Sequence, residues 1–119
     1  MTNEEFNTIF RNRTKKYAVR ILKFIDDLPF STATKIISYQ LGKSASSVGA
    51  NYRAFCRGRS KNERFSKICI VVEEADECEY WLEILQALDL GNKVELKDLL
   101  SETLEILKIC QKIKAAFAP

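Results

Sequence analysis

Five cations carry the clearest chemical signal in this sequence: Lys35, Lys43, Arg53, Arg57 and Lys61. They sit in a 35-residue stretch, between Asp27 and Glu63, that contains no carboxylate. Most of that stretch reads as helix, and a helix sorts its side chains by angle, at about 100° per residue. On an unbroken helix the five share an arc of roughly 80°, while Ile37, Leu41, Val48, Tyr52 and Phe55 fall on the opposite side. One face suits a core and the other an anion. Lys and Arg arranged in this way neutralise phosphates and release counterions. Few polar side chains on the arc suit base edges, so contacts should position a nucleic acid rather than read it. Tyr39 lies on the same arc, where it can stack on an unpaired base or pack in a subunit interface. The competing readings of the cations are a solvated helix face and pairing with acids of a neighbouring subunit.

Other chemistries find little support. The chain has no histidine, which removes Ser-His-Asp and Cys-His catalysis, H-E-x-x-H zinc sites and the E-x-x-H di-iron motif of helical bundles. Cys56, Cys69, Cys78 and Cys110 form no C-x-x-C pair, so neither a disulfide framework nor a metal site is expected, and no cofactor is. Cys69 and Cys110 lie in apolar surroundings and read as small core fillers. Glu73, Glu74, Asp76, Glu77 and Glu79 cluster on one segment, which points to a solvated or salt-bridged helix rather than acid–base catalysis. The expectation is a protein that is not an enzyme.

The elements that must position these residues are four helices. The first spans about 3–28: Thr2 and Glu5 are spaced as a capping box, an apolar stripe runs from Phe6 to Leu28, and Leu28-Pro29 stops it. Arg13 falls within that stripe and needs an acidic partner or a snorkelling stem. The third helix, through Glu74 and Glu77, is the expected source of the acid. The second helix, about 32–58, is capped by Ser31 or Thr32. Its middle is small, through Gly42, Ser46, Gly49 and Ala50. That suits tight bundle packing, a subunit contact or the approach of a nucleic-acid backbone, and Gly42 allows a local kink. The third helix, about 61–89, starts at Ser60 or Asn62. Leu90-Gly91-Asn92 marks a turn, and the fourth helix covers about 95–117. No segment alternates like a strand. The fold expected is all-α: a single up-down-up-down four-helix bundle over residues 1–119.

Charge is divided along the chain. Net charge is +3 overall, but residues 1–61 carry +8 and residues 62–119 carry −5. Such asymmetry points to a polyanionic partner, to self-association of opposite faces, or to complementary hairpins within one fold. No apolar run approaches the roughly 20 residues that span a bilayer. The acidic start, Met-Thr-Asn-Glu-Glu, is unlike a secretory signal. A cytoplasmic location without membrane contact is expected.

Several blocks also match a known family. Arg13-Thr14-Lys15-Lys16-Tyr17-Ala18, Leu28-Pro29, and Ser44-Ala45-Ser46-Ser47-Val48-Gly49-Ala50-Asn51-Tyr52 stand in order, followed by Glu73-Glu74-Ala75-Asp76-Glu77 and Tyr80-Trp81-Leu82. Together they resemble the 23S ribosomal RNA intervening-sequence proteins, whose relatives include the accessory variability proteins of diversity-generating retroelements. Gly42-Lys43 and Ala54-Phe55 depart from the family pattern, the second by losing an acid from the second helix. The resemblance implies a bundle that assembles as a homopentamer, in which positive surface serves nucleic acid; it does not imply an enzyme. The partners expected are further copies of the chain and RNA or DNA, with structured RNA foremost. The alternative is an accessory scaffold that docks a partner protein.

Overall fold

Every helix in this protein begins at a side-chain cap, and the caps set the fold's segmentation. The computed structural model describes all 119 residues and contains α1 (Asn3–Asp26), α2 (Thr32–Cys56), α3 (Lys61–Ala87) and α4 (Lys93–Phe117), with no strand. Thr2 and Glu5 form the expected capping box, and Ser31 accepts from the Thr34 amide. Ser60 and Asn92 accept from the amides of Glu63 and Glu95. Each cap satisfies an amide that has no partner inside the helix. The helices run up, down, up and down, in a body 44 Å long.

Four boundaries differ from the periodicity, three helix ends and one start. α1, α2 and α3 each end two residues early, because Asp27, Arg57 and Leu88 are C-caps whose amides still bond back into the helix. α4 starts two residues early, because Asn92 belongs to the helix as its cap rather than to the turn alone. The first difference has consequences. α2 stops at Cys56 and Lys61 is the first residue of α3, so the five-cation arc on one helix does not form. Gly42 does not break α2, which runs through it without interruption.

The core is one cluster of buried side chains, including Phe10, Tyr17, Tyr52, Phe55, Ile68, Leu82 and Ile106. Full burial of such side chains stabilises by about 1.5–3 kcal/mol each, well above any surface ion pair. An aromatic chain runs through it: Phe10 meets Tyr52 edge-on at 4.8 Å, Tyr52 stacks on Phe55, and Phe55 meets Phe117 at 5.1 Å. The turn from α3 to α4 depends on Gly91, whose φ of +85° and closeness to the Phe24 ring exclude a side chain.

Helices adjacent in sequence pack closely, whereas α1 touches α4 more sparingly. Polar ties close that seam. Arg13 makes two bonds to the Glu102 carboxylate, Arg20 reaches Glu95 at 3.0 Å, and the Tyr17 hydroxyl meets Thr103 between them. Thr103 gives its only proton to the Leu99 carbonyl, so Tyr17 is the donor to Thr103. Burial holds the Tyr17 phenol well above its ordinary pKa and keeps it protonated.

At the end where α2 turns into α3, Arg64 lies between two rings. Its guanidinium carbon is 4.3 Å from the Phe55 centroid and 4.6 Å from the Phe117 centroid, and its Nε donates to the Phe55 carbonyl. Gly58 leaves room for this arm, since a methyl there would fall 2.3 Å from Arg64 Cγ. Arg64→Ala is expected to lower stability by about 1–3 kcal/mol, measured by urea unfolding. Arg64→Lys should restore little, because an ammonium cannot lie flat between two rings. An unchanged midpoint in Arg64→Ala would show that the stack contributes nothing.

Candidate nucleic-acid interface

Lys35, Lys43 and Arg53 are exposed on α2, Arg57 is exposed at its C-cap, and Lys61 opens α3. None of the five lies within ion-pair distance of a carboxylate. They do not converge, however. Lys35 and Arg53 are about 27 Å apart along the helix at 1.5 Å per residue. Tyr39 lies between them, 66% exposed. Lys43 is turned toward α3, where its charge favours ionisation of Glu74. Arg53 and Arg57 are one turn apart, and Lys61 lies around the corner of the α2–α3 turn.

Arg13 finds an acid, but not on the helix expected. Its partner is Glu102 of α4, at 2.6 Å, and neither Glu74 nor Glu77 reaches it. The reason is topological: in an up-down bundle α1 is flanked by α2 and α4, and α3 lies across the core. Hydrogen bonding to Glu102 holds the Arg13 guanidinium above its ordinary pKa against the opposing effect of burial. Glu77 instead accepts from the Trp81 indole at 3.4 Å. Glu74 faces α2, and its pKa is raised by desolvation first and then by Glu77, with a Ser47 hydrogen bond opposing.

α1 therefore carries two sets of cations with different fates. Arg13 and Arg20 are neutralised across the seam with α4. Arg11 and Lys15 face the other seam, toward α2, which offers no acid at all. These two were missed at the sequence level, where α1 was read for its apolar stripe. They line a groove of about 290 Å³ between α1 and α2, together with Arg53. Its floor is built by Ala18, Gly49 and Ala50. A methyl at Gly49 would lie 3.4 Å from the Thr14 carbonyl, so the two backbones are close here. The small residues in the middle of α2 thus serve bundle packing and also keep the groove open.

The cysteines are all free. Burial pushes the Cys78 and Cys110 thiols up to about 12, which leaves both protonated and unreactive at neutral pH. Cys69 is only partly buried, so it fills the core less completely than its apolar neighbours suggest. No three of the cysteine, aspartate and glutamate side chains converge at metal-binding spacing.

Two measurements check these electrostatics. A double-mutant cycle on Arg13→Ala and Glu102→Ala should return a coupling of about 1 kcal/mol, whereas a cycle pairing Arg13 with Glu74 should return none. Glu74→Gln should be more stable than wild type at pH 7. The raised folded-state pKa of Glu74 means that its ionisation disfavours the fold as pH rises through that pKa. The advantage should vanish once pH drops below the ordinary carboxyl value of 4.5. A constant advantage at every pH would show that charge is not its source.

The comparisons with known proteins agree with this architecture. A family model described as 23S rRNA-intervening sequence protein matches residues 7–112. Among solved structures, a crystal structure of a protein of unknown function from the S23 ribosomal protein family of Bacteroides thetaiotaomicron is similar. It shares 26% identity and a TM-score of 0.81, over 92% of this chain and 97% of that one. No curated protein matches the sequence. A match over residues 7–112, nearly the whole bundle, shows that the chain belongs to the family of 23S rRNA-intervening sequence proteins.

Proposed function

We propose that this protein is a non-enzymatic, oligomeric nucleic-acid-binding protein that engages structured RNA through the basic face of α2. One observation carries the reading: α2 exposes Lys35, Arg53 and Arg57 along a helix without a single carboxylate. A face so arranged has no internal partner for its charge and gains from an external polyanion. Contacts of this kind hold phosphates and leave base identity largely unread.

Oligomerisation is part of the same reading, and a pentamer is the assembly proposed. Val19, Leu22, Ile36 and Tyr39 are exposed apolar or aromatic side chains on α1 and α2, beside the basic residues. The outer side of α3 is acidic, with Glu73, Asp76 and Glu83 exposed. Opposite charges on different faces suit head-to-tail contacts, which close into rings. Several basic faces held together raise the apparent affinity of each through effective concentration. The exposed apolar residues also support a second reading, a scaffold that docks a partner protein.

The test is anisotropy of a labelled RNA stem-loop over a range of salt concentrations, with Arg53→Glu/Arg57→Glu alongside at equal fold and assembly. Affinity should fall linearly in log salt, and the variant should lose more than about tenfold, or 1.4 kcal/mol. Absence of binding at low salt would sink the RNA reading. Salt-tolerant capture of a protein partner would then favour the scaffold.

A further inference from the structure

The two seams of α1 are electrostatically opposite. Toward α4, each buried-side cation has an acid: Arg13 with Glu102 and Arg20 with Glu95. Toward α2, Arg11 and Lys15 meet Arg53 across the groove, and no carboxylate lines it. Like charges on both walls of a cleft repel one another, and low-dielectric walls focus the resulting field. A protein that neutralises one seam so fully leaves the other charged only at a cost in stability. The neutral polar groups that line the groove, Asn12 and Ser46, can donate hydrogen bonds. The cationic surface also continues beyond it. Arg11 and Arg57 both lie close enough to Cys56 to favour its thiolate, against the dominant effect of burial. Arg57 follows Arg53 by one helical turn, at the α2 C-cap, and so stands just beyond the Arg53 wall of the groove.

We infer that the α1–α2 groove is a phosphate-binding track, in which Lys15 and Arg11 on one wall and Arg53 on the other grip successive phosphodiesters of an RNA strand running toward Arg57. The inference rests on the RNA-binding reading and adds a second helix to the site. It places the contact between helices rather than along the crest of α2. Lys35 and Lys43 contribute long-range attraction at most, being far down the helix or turned toward α3. The floor at Gly49 lets a phosphate approach closely, whereas Ala50 is exposed and can carry a neutral side chain that points to solvent. The groove has no groups arranged to read base edges, so the track follows backbone shape and charge.

Ala50 allows a test that leaves the core intact, because it is exposed on a helix and alanine-to-glutamate is well tolerated there. Ala50→Glu puts a carboxylate into the groove, and Ala50→Gln is its neutral control. Arg11→Gln/Lys15→Gln removes one wall. All are compared with wild type and with Lys108→Gln, by anisotropy of a fluorescein-labelled RNA stem-loop with a single-stranded tail, after circular dichroism and sedimentation confirm fold and assembly. Ala50→Glu is expected to weaken binding at least tenfold, with Ala50→Gln within about twofold of wild type. Arg11→Gln/Lys15→Gln should reduce the slope of log affinity against log salt by roughly 1.4–1.8, the value for two lost phosphate contacts. Lys108→Gln, an exposed cation on α4 outside the groove, should leave the slope nearly unchanged. If wild type binds but the groove variants keep its affinity and slope, the track is wrong while RNA binding stands. If wild type does not bind at low salt, both fall. Displacement of the RNA by inorganic polyphosphate but not by a non-phosphate polyanion such as polyglutamate would support phosphate as the group recognised; equal displacement by both would overturn that choice of ligand.

Discussion

The bundle is closed by polar ties between its first and last helices. Three consecutive pairs of adjacent helices are joined by short turns and bury their apolar stripes against each other. α1 and α4 have no such connection, and they meet over less surface. Arg13 with Glu102, Tyr17 with Thr103, and Arg20 with Glu95 supply the contact that topology does not. Their spacing on α1, four and then three residues, repeats one helical face. Glu95 and Glu102 are seven apart on α4, the same interval as Arg13 and Arg20. Two antiparallel helices are thereby held in one register by geometry that neither could satisfy with a different partner.

That closure also decides where positive charge is left over. Four cations of α1 are divided by angle, and the two arginines that face α4, Arg13 and Arg20, are matched. Those on the α2 side meet a helix that lacks acids. The excess of positive charge in the first half of the chain is therefore not spread over the surface. Part of it, Arg11, Lys15 and Arg53, lines one seam, and Arg57 continues it to the turn between α2 and α3. Arg64, though in the same region, is withdrawn from it by the Phe55 and Phe117 rings.

Much of this was legible in the sequence, for identifiable reasons. The caps at Thr2, Ser31 and Ser60 and the stops at Leu28-Pro29 and Leu90-Gly91 are local signals, and each marks an element in the structure. The core positions on α2 follow from periodicity, and Ile37, Leu41, Val48, Tyr52 and Phe55 are all buried. Periodicity shows which face is buried but not which helix covers it, and so Arg13 was matched to the wrong one. The equal seven-residue intervals of Arg13–Arg20 and Glu95–Glu102 held the answer. The basic arc failed at its end because four non-helical residues, Gly58 among them, separate Lys61 from α2. Arg11 and Lys15 went unnoticed because a groove between two helices belongs to neither helix's own pattern.

The α1–α4 ties join residues as many as 89 positions apart. Loop-closure entropy makes such contacts the slowest to form, after the local hairpins have assembled. Opening then runs in reverse: the α1–α4 seam, held by a few polar bonds, parts first, and α1 can then move away from α4. The groove's α1 wall, with Arg11 and Lys15, travels with it. A polyanion bridging α1 and α2 would suppress that excursion, so amide-exchange protection along α1 would rise on binding although no atom of the α1–α4 seam is touched.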